Sequence, residues 1–373
     1  MIIGLLKEPA YETRTSFLPE HVALLKKLKV ELLVESGAGE TAFAADQKYT
    51  EAGARIASRQ EVLQQSSVIV SINPLTSEDQ QHCKGKVLIG FFQALYNFKS
   101  IAEWAGNNCT VFSMDMLPRT TRAQSMDVLS SQANIAGYKA VLLAANLYPK
   151  YFPMFMTAAG SIAPAKVLIL GAGVAGLQAI ATSKRLGAVI EVFDTRPAVK
   201  EEVMSLGAKF VEVEGAADAS KAGGYAVEQS EEFMQRQKAK IAESVAKADI
   251  VITTAQIPGR KAPILITKEM IEQMKSGSVI IDIAAVTGGN TDCTKNDETV
   301  MLNGVAIVGN SKLPGSMPSD ASKLYGKNIL NFLALIVNKE GELHLNFEDD
   351  LVLGTCVAHG GEIKNDRVKA LVH

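Results

Sequence analysis

Over the first 115 residues, short apolar runs alternate with longer polar stretches patterned as helices. The runs Ile2–Leu6, Val30–Val34, Val68–Ile72, Val87–Phe91 and Thr110–Met114 predict strands, and Pro19–Leu28 predicts one of the helices between them. This is the rhythm of βαβ units in a parallel sheet. A long helical stretch follows, from Ser125 to about Leu147, with no proline and one glycine, Gly137. The turn-rich segment Tyr148–Pro164 leads into a second α/β run. Its predicted strands are Val167–Leu170, Val189–Phe193, Lys209–Val213, Asp249–Thr254, Ser278–Ile283 and Ala306–Val308. A second long helix is expected over Ser319–Val337, with Pro318 near its start, where helices tolerate proline. The tail, Leu343–Val372, reads as strands around the turn His359–Gly360–Gly361.

Two long helices flanking the second run suggest a bridge. The expected organisation is a discontinuous first α/β domain, residues 1–125 and 319–373, with a second α/β domain, residues 126–318, inserted into it. A chain of 373 residues is long enough for two domains. There is no internal repeat, and Glu214–Gly224, rich in Ala and Gly, is expected to be a mobile loop. A net charge of −2 argues against nucleic acid or anionic lipid as a partner of the chain itself. Cys83, Cys109, Cys293 and Cys356 form no CxxC pair, so neither a zinc site nor a disulfide framework is suggested. The longest apolar stretches, Ala140–Tyr148 and Ile329–Val337, fall well short of the roughly twenty residues of a membrane span, and a soluble chain is expected.

The strongest chemical signal is VLILGAGVAGLQAIATSKRLGAVIEVFD, residues 167–194. Gly171, Gly173 and Gly176 form G-x-G-x-x-G between a predicted strand and a helix, and a second strand ends at Asp194, eighteen residues after Gly176. That context makes the motif a dinucleotide fingerprint. Gly171 permits the tight turn, Gly173 lets the backbone approach a pyrophosphate, and Gly176 lets helix and strand pack closely. The helix N-terminus offers unpaired N–H groups and a positive dipole end to the phosphates. Asp194 would accept from the adenosine ribose hydroxyls and repel a 2′-phosphate, which favours NAD(H). Arg196 complicates that choice, since a nearby arginine can accommodate the 2′-phosphate. The expected fold is therefore α/β with two Rossmann-like parallel-sheet domains, the inserted one binding NAD(H).

The segment MTAAGSIAPAKVLILGAGVAGLQA resembles the nucleotide domain of alanine dehydrogenases and of proton-translocating nicotinamide nucleotide transhydrogenases. MLPRTTRAQSMDVLSSQANIAGYKAV (residues 116–141), GGYAVEQSEEFMQRQ (residues 223–237) and TTAQIPGRKAPILIT are similar to the transhydrogenase branch, specifically its NAD(H)-binding component. The resemblance covers essentially the whole chain. It implies that Arg119, Gln124 and Asp127 hold the nicotinamide end, with Ser130 on the helix that follows. It implies cofactor contacts at Gly171, Gly173, Val174 and Gly176, and at Asp194, Thr195 and Arg196 around the adenosine ribose. Tyr225 matches a tyrosine on a loop that closes over nucleotide, and Gly224, Gln237 and Gln256 lie in segments that approach it. The resemblance also implies a homodimer and partners that carry the NADP(H) site and a membrane proton channel. The chain would then sit peripherally, on the cytoplasmic side or in a matrix-like compartment.

The residues present bear on the chemistry. In alanine dehydrogenases, a lysine in a V-K-E-P-like motif and a histidine after a later strand handle the substrate. Here the matching stretches read Ser71–Ile72–Asn73–Pro74 and Phe91–Phe92–Gln93–Ala94, without lysine or histidine, although Arg14 is retained. Reaction at an imine or ketone carbon needs proton donors beside the nicotinamide. Hydride transfer between two nicotinamides needs only position, alignment and exclusion of water. The resemblance makes Arg119, Gln124 and Asp127 the expected catalytic residues. No second glycine fingerprint follows a strand, so the NADP(H) must come on a partner. The alternatives are an alanine dehydrogenase-like amino-acid dehydrogenase and an NAD sensor without turnover.

Overall fold

Each run predicted as a strand before the tail holds a β-strand in the computed structural model, which describes residues 1–213 and 231–372. In chain order the first strands are β1 (Ile2–Leu5), β2 (Glu31–Glu35), β3 (Arg55–Ala57), β4 (Val68–Ser71), β5 (Val87–Gly90) and β6 (Thr110–Ser113). A small hairpin, β7 (Phe155–Thr157) and β8 (Gly160–Ile162), precedes β9 (Lys166–Leu170), β10 (Val189–Phe193) and β11 (Lys209–Phe210). Then come β12 (Ile250–Thr253), β13 (Val279–Asp282), β14 (Thr299–Leu302), β15 (Val305–Gly309), β16 (Cys356–His359) and β17 (Glu362–Ile363). These strands fall into two compact units, one of Met1–Gln132 with Gly315–His373, the other of Ala133–Pro314.

The discontinuous unit holds an eight-stranded sheet in the order β17-β16-β6-β5-β4-β1-β2-β3. It is parallel from β6 to β3, and the tail adds two antiparallel strands at the edge. Strands β1, β4, β5 and β6 are buried on both faces, which is why they read as continuous apolar runs. One face packs on the helix Pro318–Ile336 through Ile329, Phe332, Leu333 and Ile336. Phe332 meets Phe112 of β6 edge to face, with ring centres 5.2 Å apart. The other face covers Ile101, Trp104 and Ala105 of the helix Phe98–Gly106. Proline opens the Pro318–Ile336 helix at its first position, where its missing N–H costs nothing.

The continuous unit holds a seven-stranded sheet, β11-β10-β9-β12-β13-β15-β14, parallel except for β14. The chain leaves β9 towards β10 on one side and returns to β12 on the other. The crevice outside the C-terminal ends of β9 and β12 is therefore the topological switch point, where open α/β sheets bind ligands. The helix Val128–Leu147 contributes Ala136, Ala140, Val141 and Ala144 to this unit's core. Its single glycine has a steric reason. A Cβ on Gly137 would overlap the carbonyl of Ala175, so the two helix backbones touch there.

The differences from the sequence-based expectation are local. The expected start of the first long helix, Ser125, lies in a separate 3-10 turn, Thr121–Met126, and the α-helix begins at Val128. β3 and β14 are edge strands, and β7–β8 is exposed along its length, so none carries the apolar run of a buried strand. The tail contains two short helices, Asp350–Thr355 and Asp366–Val372, besides its strands. The predicted loop Glu214–Gly224 lies outside the described residues. Among the described residues, no helix is long and apolar enough to cross a membrane.

Candidate functional site

The glycine turn after β9 is built for close approach. Gly171 has φ +103°, and a Cβ there would lie 2.5 Å from Thr254 Oγ1, which itself donates to the Gly171 carbonyl at 3.1 Å. Gly176 faces inward, where a Cβ would overlap the same carbonyl of Gly171. Gly173 is the opposite case, with nothing within 4 Å of the position a Cβ would take. The helix Val174–Arg185 begins there, with Val174 as its first residue and no side chain capping it. The first N–H groups of a helix have no partner within it, and no side chain caps them here; such a helix start at a switch point can receive a phosphate.

Asp194 follows β10 directly and ties the glycine turn to the loop after β10. Its Oδ2 accepts from the Ala172 N–H at 2.7 Å, so the carboxylate braces the glycine turn itself. Its Oδ1 accepts from the Arg196 N–H at 2.8 Å and from Arg196 Nε at 2.9 Å, while Arg196 Nη2 reaches Oδ2 at 2.8 Å. The pair is largely buried, and Asp194 holds the guanidinium above its ordinary pKa against the cost of burial. Arg196 is thus turned onto the carboxylate. Thr195, between them, is half-buried.

On the other side of the crevice, the loop after β12 is pinned by Asn290. This fully buried side chain accepts from the Ala255 N–H at 3.0 Å and donates to the carbonyls of Ala255 at 2.8 Å and Pro263 at 2.9 Å. Asn290 is held in turn by Asp282, whose buried carboxylate takes the Asn290 N–H at 2.6 Å, Thr294 Oγ1 at 2.6 Å and the Ala284 N–H at 2.9 Å. From the sequence this place reads only as a Gly288–Gly289 turn. Gln256 sits on the pinned loop, exposed, with Nε2 3.4 Å from the Ile283 carbonyl. Gln237 is half-buried on the helix Glu231–Lys247. Gly224 and Tyr225 lie outside the described residues.

The remaining expected residues belong to the discontinuous unit. Asp127 caps the helix Val128–Leu147, with Oδ1 accepting the Ser130 N–H at 2.9 Å and Oδ2 accepting Ser130 Oγ at 2.6 Å. Gln124 projects from the preceding 3-10 turn and Arg119 from the segment before it, both exposed. Asp127 and Ser130 are therefore in contact, and Gln124 is one turn away. Ala123 and Met126 anchor the turn in the core.

This unit has its own switch point, between β1 and β4, and side chains fill it. Glu8 accepts from the Ile72 N–H at 2.6 Å, the Asn73 N–H at 3.1 Å and Asn73 Nδ2 at 3.0 Å. Burial pushes its carboxyl up to about 7, against the pull of those donors. Arg14 grips Glu12 with Nε at 2.8 Å and Nη2 at 2.7 Å, and its Nη1 donates to Gln132 Oε1 at 2.8 Å. Burial opposes ionisation of Glu12, but Arg14 outweighs it and holds the carboxyl below its usual range. The side chain of Ile72 is buried, and the Gln93 N–H is spent on Asp115 Oδ1 at 3.1 Å. Glu8 does not stand out in the sequence, where it is one acidic residue among many.

The family model described as "Alanine dehydrogenase/PNT, N-terminal domain" matches residues 4–136, and "Alanine dehydrogenase/PNT, C-terminal domain" matches residues 140–366. The chain is 46% identical over 362 residues to an NAD(P) transhydrogenase subunit alpha chain of Rhodospirillum rubrum, covering 94% of each. Its structure is similar to that of a transhydrogenase from Sinorhizobium meliloti, with TM-score 0.89 and 44% identity over 97% of this chain and 100% of that one. An L-alanine dehydrogenase structure shares the fold with TM-score 0.80 at 24% identity, covering 100% of this chain and 99% of that one.

Proposed function

The chain belongs to the alanine dehydrogenase/PNT family, and from that premise we propose that it is the NAD(H)-binding component of a proton-translocating nicotinamide nucleotide transhydrogenase. The observation that carries the reading is the 46% identity with a transhydrogenase subunit along 94% of both chains. The switch point of the continuous unit fits a dinucleotide. Gly173 leaves room for a pyrophosphate, the uncapped helix after it presents N–H groups, and Asp194 places a negative charge where a 2′-phosphate would fall. When bound, NAD(H) supplies the hydride donor or acceptor.

In this reading Arg119, Gln124 and Asp127 hold and orient the nicotinamide end. The second nucleotide, NADP(H), is carried by a partner domain, and membrane subunits couple the exchange to protons. The chain acts as a homodimer, peripheral to that membrane complex. Substrate chemistry of the alanine dehydrogenase kind is disfavoured by Ile72 and Gln93, which stand where such enzymes carry lysine and histidine. Glu8 titrates near neutrality, but it is sealed against backbone and Asn73.

Two measurements test the reading. Fluorescence titration should show NADH binding at least tenfold more tightly than NADPH. Alanine or pyruvate, offered with NAD(H), should not turn over. Turnover of either, or a preference for NADPH, would overturn it.

A further inference from the structure

The turn that carries Gln124 is held from outside by the helix Pro318–Ile336. The carbonyl oxygen of Ser125 accepts Asn328 Nδ2 at 2.9 Å and Asn331 Nδ2 at 2.7 Å. Residues three apart share one face of a helix, and a carbonyl oxygen has two lone pairs, so the two amides saturate it. Asn328 does more. Its Oδ1 accepts Ser131 Oγ at 2.7 Å, so one side chain spans from the turn before Asp127 to the helix after it. The next residue, Gln132, donates to the Ala321 carbonyl at 3.1 Å and accepts from Arg14. Residues 125–132 are thereby fixed on both flanks of Asp127.

This clamp is costly unless its geometry serves something. Asn328 is only 7% exposed and lies among the apolar residues Ile329, Phe332 and Leu333 of its helix. A buried amide is tolerated only while its hydrogen bonds are made. An apolar residue would hold two helices together as firmly. An amide additionally fixes where one carbonyl, and therefore the adjacent Gln124 side chain, must sit.

We propose that Asn328 and Asn331 are positioning residues for hydride transfer, setting through the Ser125 carbonyl the placement of Gln124 and Asp127. The inference rests on the assignment of those two residues to the nicotinamide end. The adenosine end is read by Asp194 and the glycine turn, on other elements. Loosening the clamp therefore degrades alignment and leaves affinity, and a misplacement of about 1 Å can cost on the order of a hundredfold in rate.

The test uses the full chain with NADH, NADP⁺ and an NADP(H)-binding transhydrogenase domain, in single-turnover mode. NADH affinity and thermal midpoint are measured alongside. Asn331→Ala removes a donor on a half-buried residue and should fold normally, with Asn331→Gln as the donor-retaining variant. Asn328→Ala is the stronger perturbation. The expected result for Asn331→Ala is a transfer rate lowered on the order of tenfold, with NADH affinity within about twofold of wild type. Asn331→Gln should recover part of the rate, and Asn328→Ala should lose more. Wild-type transfer by Asn331→Ala and Asn328→Ala, while Gln124→Ala is slow, would overturn the positioning role and leave the nicotinamide assignment standing. Rate loss matched by equal loss of NADH affinity would also overturn it. Wild-type transfer by Gln124→Ala would remove the assignment beneath the proposal, and the proposal with it.

Discussion

The glycine turn allows a sharp contrast between two substitutions three residues apart. At Gly173 the backbone is ordinary for any residue, with φ −76° and ψ −170°, and the Cβ position is open. Gly173→Ala should therefore fold as well as wild type, or gain about 0.4–1 kcal/mol through a less flexible unfolded chain. Its methyl group would nevertheless stand where the pyrophosphate approaches. Losing one hydrogen bond to a charged phosphate, worth about 1.5–3 kcal/mol, weakens NADH binding on the order of tenfold to a hundredfold. Gly176→Ala reverses the pattern, because its Cβ overlaps the Gly171 carbonyl inside the strand–helix junction. Overpacking of that kind costs about 1–3 kcal/mol, enough to lower the thermal midpoint by several degrees. Calorimetry and NADH fluorescence titration on the two variants separate stability from binding. Wild-type NADH affinity in Gly173→Ala would refute the placement of the pyrophosphate. Wild-type stability in Gly176→Ala would refute the packing argument.

Asp194→Asn should weaken NADH binding on the order of tenfold and narrow the preference over NADPH, as measured by titration with both nucleotides, because the amide cannot keep all four contacts that the carboxylate accepts. Asp127→Asn keeps a good helix cap, so the thermal midpoint should hold while stopped-flow hydride transfer slows more than NADH affinity falls; equal wild-type and variant rates would defeat the assignment. Glu8 is raised in the folded state from 4.5 to about 7, so the stability tied to its protonation is fully present below pH 4.5 and lost as pH rises towards about 7. That loss is on the order of 3 kcal/mol, and melting curves of Glu8→Gln across the window should show the pH slope flattened by about that amount.

How much of this was legible in sequence follows from what each feature depends on. Strands such as Val167–Leu170 and Val87–Gly90 are buried on both faces, and burial writes itself as a run of Val, Ile and Leu. β3 offers only Ile56 as a large apolar residue, β14 alternates at an edge, and β7–β8 is exposed throughout, so these elements leave no comparable trace. The glycine turn was legible because backbone geometry dictates its residue types at fixed spacing. Gly137 was visible as an exception in a helix, but its reason, the Ala175 carbonyl, needed the packing. Asn290, Asp282, Glu8 and the asparagines at 328 and 331 were not legible. Their roles arise from residues brought together across tens to hundreds of positions, and nothing in the local pattern marks one buried amide from an exposed one.

The central claim is hydride transfer between NAD(H) on this chain and NADP(H) on a partner. The most direct test mixes the purified chain with NADH, NADP⁺ and an NADP(H)-binding transhydrogenase domain and follows transfer from deuterium-labelled NADH at the nicotinamide C4. The account predicts label appearing in NADPH only when both proteins are present. Absence of labelled NADPH from a mixture in which both proteins have bound their nucleotides would contradict it.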